Sequence, residues 1–218
     1  ADVSCDGRFA LLSRASRPGG DDLFLVDLAS GAELLLTTHE SPAAFRDAAF
    51  SPDSKTVWLS TDAGRDLLAF ARIRLAPNGA PGPIEVVASR DDAELSAFAV
   101  DGAGLTAALV WNVAGRSELS LVDLATLRSR PGPALPAEVA TDPVFSPDGT
   151  RLALVLSGSD APADVWLLER ARGTFRQVTK SPRAGIDPGS LAKPTLVRIS
   201  GRDGLSIPAR LYRPRGAA

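Results

Sequence analysis

Short apolar runs recur along the chain, each cut by turn residues, and the run at residues 151–157 shows the pattern best. Leu152, Leu154 and Leu156 fall on one side of an extended chain, and Ala153 and Val155 on the other. Both sides are apolar, so the pattern predicts a strand buried on both faces. Before it, residues 141–145 read as a short first strand. The two are joined by Ser146-Pro147-Asp148-Gly149, in which each residue suits a type I turn. Serine opens the turn, proline pre-sets φ, aspartate bonds the local backbone and glycine closes it. Residues 158–162 read as a polar loop and 164–169 as a third strand carrying Trp166. Arg172-Gly173 turns, and 175–179 forms a polar outer strand. No segment sustains an apolar period of about 3.6 residues, which predicts little helix in these units.

The unit repeats. Phe50-Ser51-Pro52-Asp53-Ser54 matches Phe145-Ser146-Pro147-Asp148-Gly149, with Val100-Asp101-Gly102 between them and Ser4-Cys5-Asp6-Gly7 ahead. Taking Asp6, Asp53, Asp101 and Asp148 as equivalent gives spacings of 47, 48 and 47 residues. A second signature agrees: Leu25-Val26-Asp27-Leu28-Ala29-Ser30 returns as Leu121-Val122-Asp123-Leu124-Ala125-Thr126, 96 residues later. Leu167-Leu168-Glu169 holds the same place in the last unit. Repeated four-stranded units of this length are the mark of a β-propeller, whose blades bury their faces only against neighbours. The expected fold is therefore all-β, with about four blades near residues 1–46, 47–94, 95–140 and 141–182. Residues 183–194 read as a linker and 195–218 as the first strands of something further.

Composition narrows the function. With 218 residues, 44% hydrophobic and 23% charged, the chain is long enough for a sizeable core. Glycine (19) and proline (17) are frequent and spread along the chain, as many turns require. A net charge of −2 offers no basic field, so no nucleic acid is expected as a partner. No apolar run approaches the roughly 18 residues of a membrane span, so no membrane is expected either. One cysteine and one histidine leave no Cys- or His-cluster for a metal, and no cofactor is expected. The lone cysteine fits a cytoplasmic or a periplasmic location.

After the linker, residues 195–200 alternate like a strand, Gly201-Arg202-Asp203-Gly204 turns, and 205–212 forms a second strand. Arg202-Asp203-Gly204, Ile207-Pro208 and Leu211-Tyr212-Arg213-Pro214 follow Ser-Pro-Asp-Gly blades and the strand Phe175-Arg176-Gln177-Val178-Thr179. In these residues and their order the chain resembles the prolyl oligopeptidase family of serine peptidases, its acylaminoacyl-peptidase-like branch in particular. TolB-like propellers share the blade motif but not the junction. The resemblance implies a propeller of seven or eight blades preceding an α/β-hydrolase domain, which the hairpin would open. It places the oxyanion segment, nucleophile and remaining triad members after the hairpin. No Gly-x-Ser-x-Gly elbow occurs in these residues, so the expectation is a piece shortened at both ends, or a reduced variant, without catalytic residues.

The remaining candidates read more simply as structure. His39, in Thr37-Thr38-His39-Glu40-Ser41, could be a base beside Ser41, but a surface histidine leaving an outer strand explains it. Cys5 takes proline's place in a blade turn and reads as a semi-buried thiol near Arg8. Asp53, Asp101 and Asp148 read as turn aspartates. Asp21-Asp22 and Asp91-Asp92 read as exposed loop charge without the spacing of a calcium loop. Trp58, Trp111 and Trp166 could line a ligand channel, and blade packing is their plainer role. Arg198, Arg202, Arg210, Arg213 and Arg215 read as a solvated hairpin or one awaiting a further domain.

Two functions follow from these readings. One is the substrate-gating propeller of a peptidase that takes peptide substrates through its hydrolase domain. The other is a non-catalytic TolB-like propeller acting as a protein-interaction module. If the four blades form an open arc, their end faces should drive self-association or aggregation.

Overall fold

The computed structural model describes residues 2–17, 20–38 and 43–214. They form four antiparallel sheets of four strands each, and a separate two-stranded hairpin. The first sheet holds β1 (Asp2–Val3), β2 (Phe9–Arg17), β3 (Gly20–Asp27) and β4 (Glu33–Leu35). The second holds β5 (Phe45–Phe50), β6 (Thr56–Thr61), β7 (Ala69–Leu75) and β8 (Pro81–Ala88). The third holds β9 (Glu94–Val100), β10 (Thr106–Val113), β11 (Arg116–Asp123) and β12 (Arg128–Pro131). The fourth holds β13 (Val139–Phe145), β14 (Arg151–Gly158), β15 (Ala161–Glu169) and β16 (Thr174–Gln177). In every sheet the strands lie side by side in chain order. This is the meander of a propeller blade, and the all-β propeller architecture expected from the sequence is the one observed. First strands of neighbouring sheets approach one another at two of the three junctions, β1 with β5 and β9 with β13, as the inner strands of propeller blades do.

Three apolar cores join the four sheets. Phe9, Leu11, Leu23 and Leu25 of the first sheet meet Phe45, Val57, Leu59 and Ile73 of the second. Trp58 and Phe70 meet Leu95, Ala107, Leu109 and Trp111 of the third. Ala108, Val110, Leu119 and Leu121 meet Leu152, Leu154, Leu156 and Leu168 of the fourth. Among the described residues, no such core joins the fourth sheet back to the first. In the middle sheets the second strand is therefore buried on both faces, as at Val57, Trp58 and Leu59 and from Ala107 to Trp111.

Sheet four departs from that. Leu152, Leu154 and Leu156 are fully buried, but Ala153 and Val155 stay half-exposed. Two-sided burial of this strand is incomplete here because, among the described residues, no further sheet packs on its second face. The loop expected at 158–162 is a tight turn at Ser159-Asp160, since β14 and β15 pair up to Gly158 and Ala161.

The repeat also has a different phase from the one its aspartates suggest. The turn-opening residues are Ser4, Ser51, Asp101 and Ser146, whose N–H groups donate to Phe9, Thr56, Thr106 and Arg151 carbonyls at 2.8–2.9 Å. Asp101 thus stands where the other blades have serine, not where they have Asp6, Asp53 and Asp148. In those three blades the serine hydroxyl donates to the aspartate, at 2.6, 2.5 and 2.5 Å. That bond, with one from a backbone N–H two residues on, holds each carboxyl below its usual range, Asp148 at about 2. In the third blade the Asp101 carboxylate takes the N–H of Leu105 itself, at 2.8 Å.

The second signature keeps its phase. Asp27 Oδ1 accepts from the Ala29 and Ser30 N–H groups and the Ser30 hydroxyl, at 3.1, 2.8 and 2.8 Å. Asp123 does the same with Ala125 and Thr126, at 3.1, 2.8 and 2.9 Å. After the fourth sheet, residues 178–194 contain only a short 3-10 turn at Pro188–Ser190, capped by Asp187. The chain then enters a hairpin of β17 (Thr195–Ser200) and β18 (Ser206–Leu211).

Candidate functional site

The hairpin meets the propeller at the end of the blades where second and third strands turn back. The β10–β11 turn there is Ala114-Gly115, with φ of 49° and 83°. Two successive positive φ values make the I′-type hairpin turn that suits the strand twist, and glycine takes the second without strain. Its flat surface matters too, because a Cβ on Gly115 would sit 3.0 Å from Arg210 Nε. Arg210, on β18, donates through Nη2 to the Gly115 carbonyl and through Nη1 to Glu138 Oε2 at 2.7 Å.

Glu138 gathers further donors. Its Oε1 accepts from Arg116 Nη2 at 3.2 Å and from the Ser159 hydroxyl at 3.3 Å. Burial raises the Glu138 carboxyl, but Arg210, then the Ser159 backbone N–H and then Arg116 outweigh that and hold it below its usual value. The Glu138 and Arg210 side chains keep only 15% and 22% of their exposure. Arg210 is therefore a docking residue, not the solvated hairpin charge the sequence suggested. Close by, Lys193 Nζ pairs with Asp160 Oδ2 at 2.7 Å, tying residues 183–194 to the β14–β15 turn. That pairing raises the lysine and lowers the aspartate. A cleft of about 380 Å³ opens beside it, lined by Ser159, Pro162, Arg183, Ile186 and Leu191 among others.

The hairpin's other face is apolar and open. Ile199 pairs with Ile207 and Val197 with Ala209, on one side of the two strands. Ile199 and Ile207 are 55% and 46% exposed.

The other candidates fall elsewhere. His39, Ser41 and Arg215 lie outside the described residues. Cys5 is exposed, not semi-buried, because the second turn position points outward. Asp22 is not loose loop charge: it is buried and accepts from the Thr37 hydroxyl at 3.3 Å. Asp164 in the fourth sheet matches it, accepting from Thr179 at 2.8 Å while Val165 N–H donates to the same hydroxyl. The threonine of Gln177-Val178-Thr179 thus clasps strand three to the outer edge of the blade, a pairing invisible at a separation of 15 residues. Asp91 is exposed, and Asp92 pairs with Arg90 at 2.8 Å. Trp58 and Trp111 are buried between sheets two and three, Trp58 stacked on Phe70 at 5.1 Å. Trp166 packs half-buried against the core between sheets three and four. Arg198 reaches Ser206 at 3.4 Å.

Sequence reasoning also passed over two inner-strand aspartates, Asp47 and Asp142. Each sits on a bulge four residues before the turn serine, with φ of 52° and 51°. Aspartate tolerates this left-handed region better than most residues. Among the described residues, no three His, Cys, Asp or Glu side chains converge as metal ligands would.

A run of propeller blades ending in a docked hairpin is the arrangement these contacts define. No protein-family model and no curated protein matches the chain. Solved structures do. Puromycin hydrolase superposes with a TM-score of 0.79 at 21% identity, over 98% of this chain and 33% of its own. A puromycin-hydrolyzing peptidase of Mycobacterium tuberculosis gives 0.79 at 16%, over 97% and 33%. Prolyl oligopeptidase B from Galerina marginata gives 0.70 at 18%, over 100% and 31%. These are prolyl oligopeptidase family structures, so the resemblance carried by the sequence motifs extends to the fold of nearly the whole chain. The chain spans about a third of the length of the structures it matches.

Proposed function

We propose that these residues are the substrate-gating propeller portion of a prolyl-oligopeptidase-type serine peptidase. In this reading residues 1–182 are blades, 183–194 are the linker, and 195–218 begin the hydrolase domain. The observation that carries it is the hairpin. It is locked to the blades by Arg210–Glu138 and turns Ile199 and Ile207 to solvent. Two strands are marginally stable alone, and an exposed apolar face of this kind calls for a covering layer. A hydrolase sheet continuing from β18 supplies that layer.

The chemistry of the parent would be acyl transfer from a peptide to a serine and then to water. The nucleophile, base and oxyanion donors come from residues beyond the hairpin. The propeller contributes by standing over the active site, so that short or unfolded peptides enter and folded proteins do not.

Two assays test this. Incubated with a serine-directed fluorophosphonate, the 218-residue chain stays unlabelled. The full gene product labels, and it cleaves peptides of about ten residues far faster than a folded protein of the same sequence context. Equal rates on both substrates would remove the gating role, and labelling of the chain itself would overturn the assignment.

A further inference from the structure

The third strands share a signature, two apolar residues and an acid, and sheet two breaks it. Leu25-Val26-Asp27, Leu121-Val122-Asp123 and Leu167-Leu168-Glu169 keep the pattern, where sheet two has Arg72-Ile73-Arg74. The strand pairings fix this correspondence. Counted from the turn-opening residue, the sixth position pairs with Asp27, Arg74, Asp123 and Glu169 in the four sheets. The eighth pairs with Leu25, Arg72, Leu121 and Leu167. Sheet two therefore reverses a charge at one place and sets a charge where the others have leucine at the next.

Directly paired residues share a face. Arg72 lies opposite Trp58, which packs in the core between sheets two and three, so Arg72 faces that seam. Its counterparts Leu25 and Leu121 are fully buried in the cores of their own seams. The Arg72 side chain keeps 13% of its exposure, and its Nε and Nη2 lie 2.8 and 2.7 Å from Glu85 Oε2. Arg74 Nε comes only within 3.9 Å of Glu85 Oε1. One carboxylate thus answers two guanidiniums.

The seam opens here into a cavity of about 550 Å³, lined by Lys55, Trp58, Arg72 and Arg74 and by apolar Leu75 and Leu124. Asp53 lines it too, but its carboxylate is taken up by the Ser51 hydroxyl and the Lys55 N–H, at 2.5 and 3.1 Å. Small-molecule sites run from about 300 to 1,000 Å³. The Trp58 indole N–H is buried and has no acceptor among the described residues. Buried donors are ordinarily bonded, so this one calls for an acceptor that the chain does not supply. Both walls are interior sheets, each packed on two neighbours, so the end faces of the array play no part. The cavity lies at the first-to-second-strand turns, the end of the blades away from the docked hairpin.

We propose that this cavity binds a small organic oxyanion. Its carboxylate or phosphate is held by Arg74, Lys55 and the remaining N–H groups of Arg72, and its apolar body lies against Leu75 and Leu124. Guanidiniums suit such a group because their forked N–H groups bond two oxygens at once. The inference concerns the blades alone and does not rest on the peptidase reading.

The test is calorimetric titration of the 218-residue chain, at fixed ionic strength, with phenyl phosphate, phenylacetate and inorganic phosphate. At least one organic probe should bind, at one site per chain and more tightly than inorganic phosphate. Binding of phenyl phosphate alone assigns a phosphate ligand, and of phenylacetate alone a carboxylate. Arg72→Leu and Arg74→Asp install the residues that sheets one and three carry, so the double variant should fold and should bind more than about tenfold more weakly. Failure of both organic probes to bind overturns the proposal, and so does undiminished binding by the double variant. Inorganic phosphate bound as tightly as the organic probes overturns it as well, since bare surface charge would then suffice. If the double variant fails to fold, Arg74→Asp alone, at a side chain 63% exposed, carries the same prediction.

Discussion

Asp101 and Arg170, 69 residues apart, form an ion pair that bridges two blades. The Asp101 carboxylate is 4% exposed and lies 3.6 Å from Arg170 Nη1. Arg170 also donates to the Gly149 carbonyl and, at 2.8 Å, to the Thr106 hydroxyl, and its guanidinium covers Phe145. One side chain of the fourth blade therefore closes two turns, its own and its neighbour's. Removing one member of a pair this buried leaves the other short of partners. Arg170→Ala should lower stability by about 2 kcal/mol. Asp101→Ser should cost less, since serine is what the other blades use there and Arg170 keeps two acceptors. Urea denaturation of both variants checks the order.

The docked hairpin gives a second prediction. Arg210→Ala removes the bonds to Glu138 and Gly115 without touching any core between sheets. The blades should melt as before, within a degree or two. Trypsin should cut after Arg183 several-fold faster, because residues 183–194 lose an anchor. Gly115→Ala should act the same way, since its Cβ would meet Arg210 in a turn that needs positive φ. Unchanged proteolysis in both variants would contradict the docking role.

Adjacent residues of β14 should differ sharply. Leu154→Ala empties a site between two sheets and should cost about 2–5 kcal/mol. Val155→Ala, on the half-exposed face, should cost under about 1 kcal/mol. Fluorescence-monitored unfolding through the buried tryptophans reads both.

Acid should weaken the blades within a defined window. Asp6, Asp53 and Asp148 are held low chiefly by serine hydroxyls, and Asp27 and Asp123 chiefly by the N–H groups of Ser30 and Thr126. A carboxyl depressed in the folded state stabilises above its unfolded value of about 3.9. That contribution is lost as pH falls through the folded values, which for Asp148 is about 2. Denaturation midpoints should be flat from pH 7 to 5 and fall from about 4 downward. The fall should be shallower in Asp148→Asn, and an equal slope would contradict the assignment.

The blade turns and strands were legible because their chemistry is local. Serine, proline, aspartate and glycine act within four residues, and Ser146 to Asp148 is such a contact. The same locality misled at Asp101. Its spacing of 48 residues from Asp53 matched the period, yet it stands at the serine position of the turn, and from there its carboxylate takes the Leu105 N–H that the aspartate two residues later takes in the other blades. The faces of β14 were apolar on both sides, but a pattern reports what a strand can bury, not whether a neighbour is there. Arg210 was illegible for a related reason. Its partner Glu138 is 72 residues distant, and nothing around either residue marks the pair. The Thr37–Asp22 and Thr179–Asp164 clasps were hidden by separation in the same way, although they recur in two blades.

The most direct test of the peptidase reading is to label the full product of the gene with a fluorophosphonate and map the modified peptide. The account predicts a labelled serine within a Gly-x-Ser-x-Gly sequence C-terminal to the hairpin. A labelled serine among these 218 residues would contradict it, as would a full product that carries no such serine and takes no label.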